Sequence, residues 1–338
     1  MRFLGIETSC DDTGISIVEQ NKDLIISCIY NQIKAHITYG GVVPELASKK
    51  HLEVIIKLIK KAIIKPKLSI KSLTGLSYDA GSGMFGSLLI GTTIGCALAY
   101  SLNISSLAIN HLEGHILTPM LNNSINFPYI SLIVSGGHSE LLLVDKLGIY
   151  KLLGKTIDDS VGEVFDKTAK LLELCYPSGI SLSNIAKAGI PNEYLLPYPM
   201  LNKPTINISF SGLKTLVTNI IKKEIKTTQS KANIAKALED TIIKVLVNKC
   251  NKALASNNVN RLVIVGGVSA NESLRAYMKV LMKSIKGTVY ISDIKLCSDN
   301  GAMIAFTGLN KNNSINPIKN KSLSILIKTT WCLGYNMM

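Results

Sequence analysis

A chain of 338 residues has room for two packed domains or one large duplicated one. Its seven cysteines include no CxxC pair, and acids with an arginine surround the first apolar patch; these features argue against a disulfide framework, a zinc ribbon and a secretory leader, so reduced thiols in the cytosol are expected. The formal charge of +14 points to an anionic partner such as nucleic acid, although a general excess of Ile, Lys and Asn would raise the charge without making a binding face.

In chain order, FLGIE (3–7), GISIVE (14–19) and LIISCIYN (24–31) read as strands. PELASKKHLEVIIKLIKKAII (44–64) reads as an amphipathic helix with Leu52, Ile55, Ile56, Ile59 and Ile63 on one stripe. SYDAGSGMFGSLLIG (77–91) follows a short strand and opens a helix. Overlapping its end, SLLIGTTIGCALAYSLNI (87–104) is 18 residues without a charge and carries a GxxxG spacing, yet its Ser, Thr and Asn content fits a buried core helix better than a membrane span. Strands are expected again at YISLIVS (129–135), ELLLVD (140–145) and RLVIVGG (261–267), and a long helix at 231–256. The alternation of strand and helix gives an α/β class.

GIETSCDDTGISIV has the form strand, polar turn, strand, and YISLIVSGGHSELLLV repeats it about 125 residues later. The repeat implies two halves, 1–125 and 126–338, with the boundary near Asn122 to Asn126 and a ligand cleft between them. The first turn offers Thr8, Ser9, Asp11 and Asp12 to phosphates or a metal, or is a solvated turn with capping hydroxyls. Glycine turns at 133–140 and 264–274 can likewise aim backbone N–H groups at an anion.

NHLEGHILTP (110–119) sets His111 and His115 four residues apart, so on a helix both imidazoles leave one face and can share a metal. It is not the HExxH of zinc proteases: Glu113 stands two residues after His111, about 200° around a helix, and puts no base beside a metal-bound water. Asp299 in CSDNGAMIAFTGL reads locally as a helix cap and, alternatively, as a third ligand. A site of two His and one Asp suits Fe(II), Zn or Mn.

GIETSCDDTGISIV, YGGVVPELASKKH, HLEGH, VSGGHSEL, IDDSVGEVFDKTAKLLEL, ISFSGLKT, GGVSANESLR and SDNGAMIA, in this order, resemble the bacterial TsaD (Gcp) family of tRNA threonylcarbamoyladenosine transferases. The resemblance spans residue 3 to about 310 and leaves the tail after Leu309 poorly matched. It implies an actin-like ATPase fold, of the sugar-kinase and Hsp70 kind, with two duplicated RNase H-like lobes around a central cleft and the 299–310 helix packing near it. The implied reaction moves a threonylcarbamoyl group from threonylcarbamoyl-AMP to the N6 amine of adenosine 37 in tRNAs reading codons that begin with A. By the same resemblance His111, His115 and Asp299 hold one divalent metal, Fe(2+) first and Zn as the alternative. Ile133, Val134, Ser135, Gly136, Gly137, Asp166, Gly179 and Asn271 contact substrate, and Asp11 lies in the loop tied to activity. TsaB and TsaE are the implied protein partners, tRNA the nucleic acid, and no membrane is involved. Departures from the family pattern fall at Asp12, Ser82, Ser178 and Ser183. The competing classes are a metallopeptidase, a non-catalytic scaffold of the same pathway and a sugar kinase.

Overall fold

The computed structural model describes residues 1–175, 178–224, 227–314 and 325–334. The first elements are β1 (Arg2–Glu7), β2 (Thr13–Glu19), β3 (Leu24–Tyr30), α1 (Ile33–His36), α2 (Pro44–Ile64), β4 (Gly75–Gly81), α3 (Phe85–Leu102), β5 (Ser105–Asn110) and α4 (His111–Leu117). There follow β6 (Tyr129–Val134), β7 (Ser139–Lys146), β8 (Ile149–Lys155), α5 (Val161–Leu171), α6 (Ser178–Ala186), α7 (Ser211–Glu224) and α8 (Thr228–Ser256). The chain ends in β9 (Arg261–Val265), α9 (Glu272–Ser284), β10 (Thr288–Ile291) and α10 (Gly301–Ser314).

Two compact units result: Met1–Ser124 with Asp293–Leu333, and Ile125–Ser292 with Gly334–Met338. A single cut near residue 125 therefore does not describe the chain, because residues 293–333 return to the first unit. Small residues on β1, β2 and α10 explain the return, since they let α10 lie directly on the first sheet. Each unit holds a five-stranded sheet, in the orders β3-β2-β1-β4-β5 and β8-β7-β6-β9-β10. In each, the first three strands pair antiparallel and the last two add in parallel. The duplication read from two hairpins thus extends to the whole sheet topology.

In the first unit, strand alternation separates the two faces of the sheet. Leu4 and Ile6 of β1 and Leu76, Tyr78 and Ala80 of β4 join a core with Ile55, Leu58 and Ile59 of α2 and Ala99 of α3. The odd-numbered residues face α10: a Cβ on Gly5 would overlap the backbone of Gly301 and Ala305, and Ser77 Oγ donates to the Ile304 carbonyl at 2.8 Å. Glu7 and Asp79 share that parity, so the strands deliver two acids to the α10 side.

The expected stripe on α2 is rotated. Leu52 and Ile56 are exposed, and the buried face is Ala47, His51, Ile55, Leu58, Ile59 and Ala62. A histidine replaces leucine in the interior because both of its ring nitrogens are used there. Helix α3 is long and apolar enough to cross a membrane by length and composition, but Ser87, Leu88, Gly91, Thr92, Gly95 and Ala99 are buried and the helix packs on β4 and α2. Its opposite side leaves Phe85, Leu89 and Tyr100 exposed, so the helix is buried on one face and not throughout.

The segment 325–333 also belongs to the first unit. Lys328 N–H donates to the Ala80 carbonyl at 2.8 Å, Gly83 N–H to the Thr329 carbonyl at 3.0 Å, and Asn110 Nδ2 to the Trp331 carbonyl at 2.8 Å. The Trp331 ring packs against the α2–α3 core.

Candidate metal centre

Helix α4 begins directly at the end of β5, with Asn110 as its N-cap; the Asn110 side chain accepts the Glu113 N–H at 3.2 Å. Every residue of α4 is buried, and the i, i+4 spacing stacks His111 and His115 edge to face with ring centroids 4.8 Å apart. Asp299 precedes α10 and is not its cap. The Met303 N–H is accepted by Asn300 Oδ1 at 3.0 Å, which leaves the Asp299 carboxylate for the histidines. His115 Nε2 lies 3.1 Å and His111 Nε2 3.5 Å from Asp299 Oδ1, and one ligand atom from each of the three residues falls within 4.8 Å of the others.

The electrostatics follow from this crowding. Burial opposes charge on Asp299, but the two imidazoles outweigh it and hold the carboxyl far below the usual range. Burial likewise opposes charge on His111, and Asp299, Asp79 and Glu7 together hold its ring well above the ordinary histidine value. Behind the ligand face, His111 Nδ1 lies 2.7 Å from Asp79 Oδ2 and 3.6 Å from Glu7 Oε2. Burial, then Asp79, pushes the Glu7 carboxyl upward. Glu113 turns away, as its angular position on the helix requires, and pairs with Lys311 Nζ of α10 at 2.5 Å.

A family model described as "tRNA N6-adenosine threonylcarbamoyltransferase", TsaD, matches residues 23–306. The chain belongs to the TsaD family. A curated relative, the tRNA N6-adenosine threonylcarbamoyltransferase of Buchnera aphidicola subsp. Acyrthosiphon pisum (strain Tuc7), is 48% identical over 335 residues, 98% of each chain. Among solved structures, full-length HypF in its phosphate- and nucleotide-bound form matches with TM-score 0.64 at 13% identity, over 95% of this chain and 47% of that one. Component A of the (R)-2-hydroxyglutaryl-CoA dehydratase of Acidaminococcus fermentans matches with TM-score 0.55 at 13% identity, over 93% of this chain and 100% of that one. At that identity the likeness establishes the fold alone, which is the actin-like ATPase fold expected from the sequence.

In the first unit of this TsaD-family chain, the turn between β1 and β2 carries Asp11 and Asp12. Asp12 Oδ1 accepts from Asn31 Nδ2 at 2.7 Å, while burial, then Asp11 and Asp299, push its carboxyl up to about 8. Buried His51 of α2 spans the turn, with Nε2 2.8 Å from the Cys10 carbonyl and Nδ1 2.7 Å from Thr13 Oγ1. A carbonyl only accepts, so Nε2 carries the proton and Nδ1 accepts the threonine hydroxyl. Burial, which lowers the His51 pKa, keeps the ring neutral.

In the second unit, Ile133 and Val134 are fully buried on β6, so this hairpin can offer a ligand little more than backbone at 135–137. Ser135 N–H closes the turn on the His138 carbonyl at 2.8 Å, and a Cβ on Gly136 or Gly137 would meet nothing within 4 Å among the described residues. Ser160, the N-cap of α5, donates to the Gly136 carbonyl at 2.5 Å; a Cβ on Gly162 would sit 2.7 Å from Gly136 Cα, so glycine is needed for this approach. Further along α5, Asp166 accepts the Gly179 N–H of α6, and desolvation still pushes its carboxyl up to about 6. One turn on, Ser183 Oγ accepts from Asn271 Nδ2 at 2.8 Å, and the same amide donates to buried Glu239 Oε1 at 2.6 Å. Asp166, Gly179 and Asn271 therefore gather around α6, and the Ser183 departure supplies a hydrogen-bond partner. Ser178 opens α6, and Pro177 before it lies outside the described residues.

Sequence reasoning missed Asp79, Glu7, His51 and Glu239 as parts of these sites. Only strand parity could have found the first two: residues 5 and 7, and 77 and 79, share faces once Gly5 and Ser77 are known to meet α10.

Proposed function

We propose that this chain transfers the threonylcarbamoyl group of threonylcarbamoyl-AMP to the N6 amine of adenosine 37 in tRNAs reading codons that begin with A, releasing AMP. Family membership supports the reaction class, and the observation that carries the site is the convergence of His111, His115 and Asp299 on one point from α4 and the start of α10. Two imidazoles and a carboxylate suit a divalent cation of the Fe(2+) or Zn type. When bound, such an ion supplies Lewis acidity toward a phosphate or carbonyl oxygen.

The chain's own residues do the rest. An aromatic amine is a poor nucleophile, so most of the rate must come from placing it against the carbamoyl carbon and stabilising the leaving phosphate. The amides of Gly136 and Gly137 in the hairpin turn hold that phosphate, and Asp166, Gly179 and Asn271 hold the remainder of the donor. As the N6–C bond forms and the bond to AMP breaks, Asp11 accepts the amine proton. tRNA is thus the nucleic-acid partner that the positive charge anticipates, TsaB and TsaE are the protein partners, and the cytoplasm is the compartment.

Mass spectrometry of tRNA nucleosides tests the reading: the purified chain is given tRNA and threonylcarbamoyl-AMP, with partners added stepwise. His111→Ala and Asp299→Ala should each lose bound metal and threonylcarbamoyladenosine together while the chain stays folded. Full turnover by a metal-free, folded His111→Ala chain overturns the assignment.

A further inference from the structure

Two carboxylates behind His111 take part in none of these steps. Asp79 closes the α10-facing row of β4, and both of its oxygens are committed: Oδ2 lies 2.7 Å from His111 Nδ1, and Oδ1 accepts the Gly81 N–H at 2.8 Å. Glu7 stands behind it, with Oε1 taken by Ser9 N–H at 2.7 Å and Oε2 without a hydrogen-bond partner among the described residues. The turn after Asp79 is gripped by the carboxyl-terminal segment, through Lys328 N–H on the Ala80 carbonyl and Gly83 N–H on the Thr329 carbonyl. The same segment takes Asn110 Nδ2 on the Trp331 carbonyl, and Asn110 caps the helix that starts at His111.

From this geometry we propose that Asp79 is the positioning residue of the metal centre. It holds the His111 ring with Nδ1–H toward the protein and the Nε2 lone pair toward the ion, while residues 328–331 keep the Asp79 turn and the ligand helix in one frame. The inference rests on the metal reading of His111, His115 and Asp299. The group Glu7, Asp79 and His111 could itself be taken for a second ion site, but both Asp79 oxygens face N–H donors, so it is a support. A partner that accepts the free N–H of a ligating imidazole fixes ring and tautomer, and its loss costs about 10- to 100-fold in metal affinity.

The test uses the full-length Asp79→Asn chain. An amide offers one acceptor and one donor group, and it faces two N–H donors, so one hydrogen bond is lost whichever way it lies. Co(II) affinity is measured by chelator competition. Proton NMR of the Co(II) form resolves the paramagnetically shifted N–H signals of the two ligand imidazoles. The expected result is Co(II) binding weakened about 10- to 100-fold, with one of the two N–H signals lost or broadened. Affinity within twofold of the parent chain and both signals intact overturns the proposal. If the Asn chain does not fold, Asp79→Glu keeps the charge and both acceptors but moves them by a methylene; its affinity must also fall, and parental affinity in the folded Glu chain overturns the proposal equally. A parent chain that binds no Co(II) at all sinks the metal reading, and this proposal with it.

Discussion

Gly5→Ala adds one methyl where helix and sheet backbones touch. A Cβ at position 5 would overlap the Gly301 carbonyl oxygen and the Ala305 amide, and would lie 2.8 Å from Ala305 Cβ. Carbon atoms rest at about 3.5–4.0 Å, so α10 must withdraw by about 1 Å. Gly14 offers no escape, since a Cβ there would meet Asn300 Cα at 3.0 Å, which shows how closely the start of α10 is seated on β2 as well. Overpacking of this kind costs about 1–3 kcal/mol. In a unit of this size each kcal/mol lowers the melting midpoint by roughly 2–4 °C, so a fall of about 6–12 °C is expected for a cost at the upper end. Asp299 stands two residues before Gly301 and must move with the helix, away from His115 Nε2 at 3.1 Å. Calorimetry and zinc competition on the same protein should therefore show a lower midpoint and weaker metal binding together. Gly41→Ala, where a Cβ meets nothing within 4 Å among the described residues, is the control. A Gly5→Ala chain that melts with the parent and binds zinc equally well refutes the reasoning.

Lys311→Met removes the cation facing the buried Glu113 carboxylate, whose side chain is 3% exposed against 25% for the lysine. Because the lysine end is partly hydrated, the expected loss is about 2 kcal/mol, below the 3–5 kcal/mol of a fully buried pair, read from urea unfolding; adding Glu113→Gln should restore part of it. Asp166 titrates at about 6 in the folded chain, so donor binding should weaken as pH falls from 7 to 5 and Asp166→Asn should flatten that dependence; a profile unchanged in the Asn chain removes Asp166 from the donor site. Its stability contribution has the opposite sign. Between its unfolded value near 3.8 and about 6 the native state holds the proton more tightly, so stability declines as pH rises through that window, and melting curves of the Asn chain should lack this component.

The strands at β1, β2, β3, β6, β7 and β9 were legible because their apolar runs end in turn residues. β5, β8 and β10 were not, since SSLAIN, IYKLLGK and TVYI are short or carry polar residues and acquire their pairing from neighbours far away in sequence. The α2 stripe failed for a related reason: hydropathy places His51 outside, but hydrogen bonds at both ring nitrogens hold it inside and turn Leu52 outward. At the candidate metal centre the histidine pair is visible in its spacing, whereas Asp299 as a third ligand needs the family pattern, because locally an acid before a helix is indistinguishable from a cap. Asn300 beside it performs the capping. Asp79 is one acid at a strand end, and nothing in its local sequence says what it faces.

The first unit is sewn from both ends of the chain, and that orders events during synthesis. When residue 292 has left the ribosome, the second unit is all but finished and can fold as a body, while the first still lacks everything from Asp293 onward. Its nascent sheet must wait with the glycine-bearing face uncovered until α10 arrives, and the turn after Asp79 waits longer still for residues 328–331. A chain cut short before Asp299 would keep a sound second unit and lack the third ligand of its proposed metal centre.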